Sequence, residues 1–190
     1  VFDNISDLLS QQAQQKELLL EFAVDSDVPT HLKGDPLRLG QILINLASNA
    51  IKFTDRGKVS INCSLKSKDE TAATILFSVV DTGIGMTEEE QSKLFKAFTQ
   101  ADNSTTRRFG GTGLGLVISK YFAERMGGDI IIKSARGQGT RVELTVRLAL
   151  TEPGAQVDHS HKELSNIPVL VVDDEENARH TLFEMLKRLN

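Results

Sequence analysis

Asn45-Leu-Ala-Ser-Asn49-Ala-Ile-Lys52-Phe-Thr54 sets two carboxamides four residues apart and a lysine three residues further on. On a helix that spacing gathers all three onto one stripe. Leu39, Ile42, Leu43, Leu46, Ala50 and Ile51 around them keep a helical apolar period. The helix starts at Asp35-Pro36, where the carboxylate caps free N–H groups and proline suits the first turn, and it runs to about Phe53. Its polar stripe reads as a face for a metal and phosphates.

Two further motifs point the same way. Asp81-Thr-Gly83-Ile-Gly85-Met86 ends an apolar run in a carboxylate and follows it with glycines that let a ring approach the backbone, so it can read a base edge. Gly110-Gly111-Thr112-Gly113-Leu114-Gly115-Leu116 opens an amphipathic helix with glycines, where free N–H groups and the helix dipole favour phosphate. This run has neither the Rossmann spacing nor the Lys-Ser/Thr ending of a P-loop. Each motif alone has a plain reading: solvent-facing asparagines, a strand-end aspartate, turn glycines. Together they point to one nucleotide.

The remaining pattern is of intermixed helices and strands. Residues 1–15 have helical spacing in Phe2, Ile5, Leu8, Leu9 and Ala13, and residues 17–24 alternate as a strand. Residues 58–66 and 74–80 read as strands joined by a polar loop at 67–71. Thr87 and Glu90 form a capping box that opens a short helix ending near Phe95. Residues 96–111 are polar and read as a mobile loop; a helix over 114–126 stops at Gly127-Gly128, and strands over 129–134 and 139–148 follow. Without regular βαβ alternation, the pattern predicts an α/β (α+β) two-layer sandwich, a mixed β-sheet covered on one face by helices.

With 190 residues, the chain can hold one domain with a proper core plus a remnant, or two small domains. A net charge of −4 argues against general nucleic-acid binding, which needs clustered positive charge. The single cysteine, Cys63, alternates with apolar residues in a strand and reads as a buried hydrophobe. No run approaches the roughly 18 apolar residues that cross a bilayer. Residues 151–166 are polar and aperiodic, a linker, and Ile167-Pro-Val-Leu-Val-Val-Asp173-Asp174 begins a strand ending in acids.

Asn45 to Thr54, Asp81 to Met86, Leu94-Phe95-Lys-Ala-Phe98 and Gly110 to Leu116 resemble, in order, the N, G1, F and G2 boxes of sensor histidine kinases. The tail with Asp173-Asp174 resembles the start of a response-regulator receiver domain, so the parent looks like a hybrid kinase. The resemblance implies the Bergerat nucleotide-binding fold over residues 17–149, the end of a dimerisation helix over 1–16, a linker over 150–166 and a truncated flavodoxin-like receiver fragment over 167–190. It implies ATP and Mg²⁺ as cofactors. By analogy Asn49 binds Mg²⁺ with the phosphates, Asn45 sits close to the metal or its waters, and Lys52 contacts a phosphate. Asp81 accepts from the adenine amino group and so rejects guanine, a discrimination of about 10⁴-fold when the partner is buried. Gly83, Gly85, Met86, Phe98, Gly111, Thr112, Gly113, Leu114, Gly115, Leu116 and Thr140 surround the nucleotide. Arg107 or Arg108 reaches the γ-phosphate from the loop over ATP. Asp173 and Asp174 match the receiver's Mg²⁺ pair.

Hydrolysing relatives place a glutamate at the Asn45 position to orient water; an asparagine there disfavours hydrolysis and favours transfer to a histidine. That acceptor is absent. The H box is histidine followed by an acid, whereas His31, His159, His161 and His180 precede Leu, Ser, Lys and Thr. The resemblance therefore implies an ATP-binding kinase part that works with its own dimerisation and phosphotransfer hairpin, its receiver, and a downstream response regulator or phosphotransfer protein. The parent is expected to be a bacterial homodimer anchored at the inner membrane with this portion cytoplasmic, and the fragment a monomer. Two other functions fit the motifs: an ATP-hydrolysing clamp of the topoisomerase or chaperone type, and a nucleotide-sensing interaction module without phosphoryl transfer.

Overall fold

In the computed structural model, which describes residues 2–95 and 114–151, the Asn45 helix forms as its pattern requires. α1 spans Phe2–Gln15 and α2 spans Pro36–Phe53. The Asp35 carboxylate accepts from the Arg38 amide at 3.0 Å and Pro36 fills the first turn. Leu39, Ile42, Leu43, Leu46, Ala47, Ala50 and Ile51 are buried. Each buried leucine or isoleucine is worth about 1.5–3 kcal/mol, so burial of this stripe, more than helix propensity, holds α2 in place.

That stripe lies on a six-stranded mixed sheet. Its strands are β1 (Leu19–Val24), β2 (Leu32–Lys33), β3 (Lys58–Lys68), β4 (Ala72–Asp81), β5 (Asp129–Ala135) and β6 (Gly139–Leu150). The order runs β1-β3-β4-β6, with β5 and β2 pairing successive parts of β6. β1 runs parallel to β3 and every other pairing is antiparallel. Val59, Ile61 and Cys63 of β3, Ile75, Phe77 and Val79 of β4, and Val142, Leu144, Val146 and Leu148 of β6 alternate inward. They share one core with Ile5, Leu9 and Ala13 of α1, the α2 stripe and Ala123 of the helix Gly115–Arg125, here α4. Cys63 is buried as expected, and desolvation pushes its thiol up to about 11.

The ends of the elements follow from local chemistry. α3 (Glu88–Lys93) opens on a complete capping box between Thr87 and Glu90. α4 stops at Gly127, φ +71°, where the Gly127 and Gly128 amides bond back to Glu124 and Ala123 carbonyls at 3.0 and 2.9 Å. α1 stops the same way on a non-glycine. Glu17 has φ +54°, and the amides of Glu17 and Leu18 reach the Gln14 and Ala13 carbonyls, each at 3.0 Å.

Three local expectations change. The first strand begins at Leu19 because Glu17 and Leu18 close α1. The loop after β3 is shorter than 67–71: the Asp69 carboxylate gathers the Thr71 and Ala72 amides at 2.8 and 2.9 Å, so polar residues on both sides stay in the ladder. β2, two residues long, has no sequence period to announce it. The loop at 96–111, the linker and the receiver-like tail lie outside the described residues.

Candidate functional site

The carboxylate of Asp81 stands at the end of β4, 7% exposed. Its Oδ1 accepts the Gly83 amide at 2.8 Å and the Thr140 amide at 3.2 Å. No other hydrogen bond to this side chain occurs among the described residues, so Oδ2 keeps its acceptor capacity. Burial raises the Asp81 pKa above the ordinary carboxylate range, partly offset by those two amides. Such a group accepts strongly from one well-placed donor and gives no room to a second acceptor.

Glycines make this turn possible. A Cβ at Gly83 would collide with the Phe53 carbonyl oxygen at the end of α2. At Gly85, φ +60°, it would collide with the Ala135 carbonyl, and at Gly139, φ +87°, with that of Asp81. The turn is also pinned to β5 and β6. The Met86 amide donates to Ser134 Oγ at 2.8 Å, and Ser134 Oγ donates to the Gly139 carbonyl at 2.9 Å. Thr140 Oγ1 lies 2.9 Å from the same oxygen. Serine has one proton, already given to Gly139, so the Thr140 hydroxyl is the donor in that pair. Gln91 Nε2 adds a bond to the Ser134 carbonyl at 2.9 Å. Ser134 and Gln91 went unnoticed in the sequence, where a single serine in an alternating strand carries no signal.

One helical turn apart on α2, Asn45 and Asn49 are half-buried and joined, Asn49 Nδ2 to Asn45 Oδ1, at 3.4 Å. Asn45 Nδ2 donates to Ser119 Oγ of α4 at 2.9 Å, and Ser119 is 3% exposed. Gly115 permits this approach, since a Cβ there would stand 2.5 Å from Asn45 Oδ1. The asparagine stripe is thereby brought against the first turn of α4. That helix begins at Leu114 with no side-chain cap and no acid in its first turn, a terminus suited to an anion. Lys52 follows on α2, its Nζ 5.2 Å from the centre of the Phe53 ring. Leu116 and Phe95 pack against the core, and Lys120 Nζ lies 4.6 Å above the Phe95 ring.

Asn45, Asn49, Gly115 and Leu114 therefore form one group, and Asp81, Gly83, Gly85, Met86 and Thr140 a second. The two are linked through the end of α2, where the Ile84 amide donates to the Phe53 carbonyl at 3.2 Å. Phe98, Arg107, Arg108, Gly111, Thr112, Gly113, Asp173 and Asp174 lie outside the described residues. Among the described residues no cluster of three or more His, Cys, Asp or Glu side chains could hold a metal.

Known proteins resemble this chain in sequence and in fold. The sensor histidine kinase GacS of Pseudomonas protegens is 43% identical over 180 residues, covering 95% of this chain and 20% of its own. The signal transduction histidine-protein kinase BarA of Escherichia coli K12 is 45% identical over 148 residues, covering 78% of this chain and 16% of its own. The chain thus spans a fifth or less of the length of these relatives. The crystal structure of full-length ShkA in complex with AMPPNP superposes with a TM-score of 0.67 at 33% identity, covering 80% of this chain and 30% of ShkA. The helix-covered mixed sheet is accordingly the Bergerat fold. Residues 34–150 match the family of histidine kinase-, DNA gyrase B- and HSP90-like ATPases, a span that takes in α2, the Asp81 turn and the whole of β6. With that match running over more than half of its length, the chain belongs to that ATPase family.

Proposed function

We propose that this chain is the catalytic ATP-binding domain of a hybrid two-component sensor histidine kinase, which passes the γ-phosphoryl group of ATP to a histidine on a partner dimerisation hairpin and onward to a receiver aspartate. The observation that carries the nucleotide reading is Asp81: a buried carboxylate with one oxygen fixed by two backbone amides and the other able to accept. An adenine amino group is a matching donor, and guanine presents an oxygen there. Met86, Leu116 and the Gly83 and Gly85 turn would flank the base, with Thr140 beside it.

The phosphates would lie between the α2 stripe and the uncapped start of α4, where backbone N–H groups and Lys52 oppose their charge. The residues present fit Mg²⁺ bound mainly through phosphate and water: the Asn49 amide donates to Asn45, which leaves the Asn49 oxygen as a ligand. Mg²⁺ would neutralise charge on the phosphate oxygens. Asn45 would orient Asn49 from behind and stay close to the metal's waters, and as a carboxamide it cannot deprotonate an attacking water. Transfer then depends on positioning: a bond forms from an imidazole nitrogen to phosphorus as the bond to the ADP oxygen breaks. Arg107 or Arg108 would meet the γ-phosphate as it leaves. Asp173 and Asp174 would open a receiver domain's acidic pair.

The test is calorimetric titration of the chain with AMPPNP, ADP and GTP, with and without Mg²⁺. Adenine-selective binding that Asp81→Ala removes is expected; equal binding of GTP would overturn the Asp81 role. Fusing the histidine hairpin upstream should then yield acid-labile, base-stable phosphate from ATP. Steady phosphate release by the isolated domain would favour a hydrolysing clamp instead. No described helix is long and apolar enough to cross a membrane; membrane anchoring, dimerisation and the downstream regulator belong to the parent protein as proposals.

A further inference from the structure

The last turn of α2 presents four carbonyls with no partner inside the helix, and every one is taken. Thr54 Oγ1 donates to Ala50 at 2.8 Å, and the Ile84 amide donates to Phe53 at 3.2 Å. The remaining two belong to Lys16. Its Nζ donates to the Ile51 carbonyl at 2.9 Å and the Lys52 carbonyl at 2.8 Å, and adds the Thr54 carbonyl at 3.1 Å. An ammonium has three protons and no acceptor, so Lys16 is fully satisfied. Its positive charge also lies at the negative end of the helix dipole. Lys16 comes from the end of α1, 35 to 38 residues earlier in the chain. The closing turn of α1, with Glu17 at φ +54°, fixes its backbone.

We propose that Lys16 is a positioning residue of the nucleotide site, acting through the α2 terminus; this rests on the nucleotide reading above. The Phe53 carbonyl is the contact point between α2 and the Asp81 turn: it accepts from Ile84, and Gly83 packs against it without room for a methyl group. The same turn of α2 carries Lys52, and Asn49 lies one turn before. A shift of this terminus moves the phosphate stripe and the Asp81 turn together. By clamping the carbonyls on either side of Phe53, Lys16 fixes their relation and makes α1 a mechanical part of the site.

The experiment uses the whole chain with AMPPNP as probe, comparing wild type, Lys16→Met and Lys16→Arg by calorimetry, and following amide exchange at Ile84 and along β3 and β4. Lys16→Met, which keeps the length and removes the donors, should weaken AMPPNP binding about tenfold. It should also speed exchange at Ile84 while β3 and β4 stay protected. Lys16→Arg, which still donates to carbonyls, should recover most of both. Equal binding by wild type and Lys16→Met would overturn the proposal. Loss of protection spread evenly over the sheet would also overturn it, since Lys16 would then be only a fold contact. Failure of wild type itself to bind AMPPNP is a different result: it would remove the nucleotide reading, and this role with it.

Discussion

At one end of the site Asp81 is held by main chain: two amides from separate strands and turns reach one carboxylate oxygen, and three neighbouring glycines leave no slack. At the other end Asn45, Asn49 and Ser119 hold one another through side chains, over 2.9 and 3.4 Å. Backbone cannot rotate away from its partner without moving a strand, whereas a carboxamide turns about its own torsions. The Asp81 end is thus built to be one shape, which suits selection of one base. The Asn49 end can adjust, which suits phosphates and a metal whose arrangement changes as a phosphoryl group departs.

The most severe test of this contrast is Asp81→Ala, which should cost about 1.5–3 kcal/mol of nucleotide binding for the charged hydrogen bond. It also strands the Gly83 and Thr140 amides, so a melting temperature below wild type should accompany it. Binding should equally be lost on acidification. The folded-state pKa of Asp81 is raised by burial, so the carboxylate needed by the base gains its proton above the ordinary aspartate range, and affinity falls as pH drops through that raised value. The stability effect has the opposite sign: the folded chain holds this proton more tightly than the unfolded one, so the stability contributed by Asp81 is present at low pH and lost as pH rises. A pH series of titrations alongside melts separates the two; affinity that stays flat down to the normal carboxylate range would show that the carboxylate is not the acceptor.

Gly83→Ala comes next. A methyl group against the Phe53 carbonyl forces the turn to move, at about 1–3 kcal/mol, and melting should report it. If the turn were as adaptable as the asparagine pair, the change would be nearly silent. Asn49→Ala should lower affinity about tenfold in Mg²⁺ and much less in EDTA, on the scale of one hydrogen bond to a charged group. Losses equal in both conditions would remove Asn49 as a ligand. The smallest effect belongs to Ser119→Ala, about 1 kcal/mol for the bond to Asn45. It should appear in Mg²⁺-dependent affinity and leave GTP discrimination as in wild type.

How far the sequence carried the reading depends on how local the cause was. α2, its Asp35 cap, the Thr87–Glu90 box and the Gly127 stop are each written within a few residues, and all were legible. So was the inward alternation of β6. The Asp81 turn was legible as glycines and a carboxylate, but the amide that completes it comes from Thr140, 59 residues away. Lys16, Ser119 and Ser134 were silent because each works by one tertiary contact, and a lone polar residue in an amphipathic pattern looks the same whether it meets water or a buried carboxamide. Glu17 misled, since an acid in an alternating stretch reads as strand and nothing nearby marks the left-handed turn.

The position of β6 has a consequence for biosynthesis. This strand pairs with β4, β5 and β2, yet it is the last of the sheet to leave the ribosome. Until Gly139 and the residues after it have emerged, β4 has an open edge along its whole length and Asp81 lacks its Thr140 amide. The carboxylate proposed to read the base is thus assembled at the end of translation of this domain, so a nascent chain stalled before Gly139 carries α1 to α4 and still leaves Asp81 without its second amide.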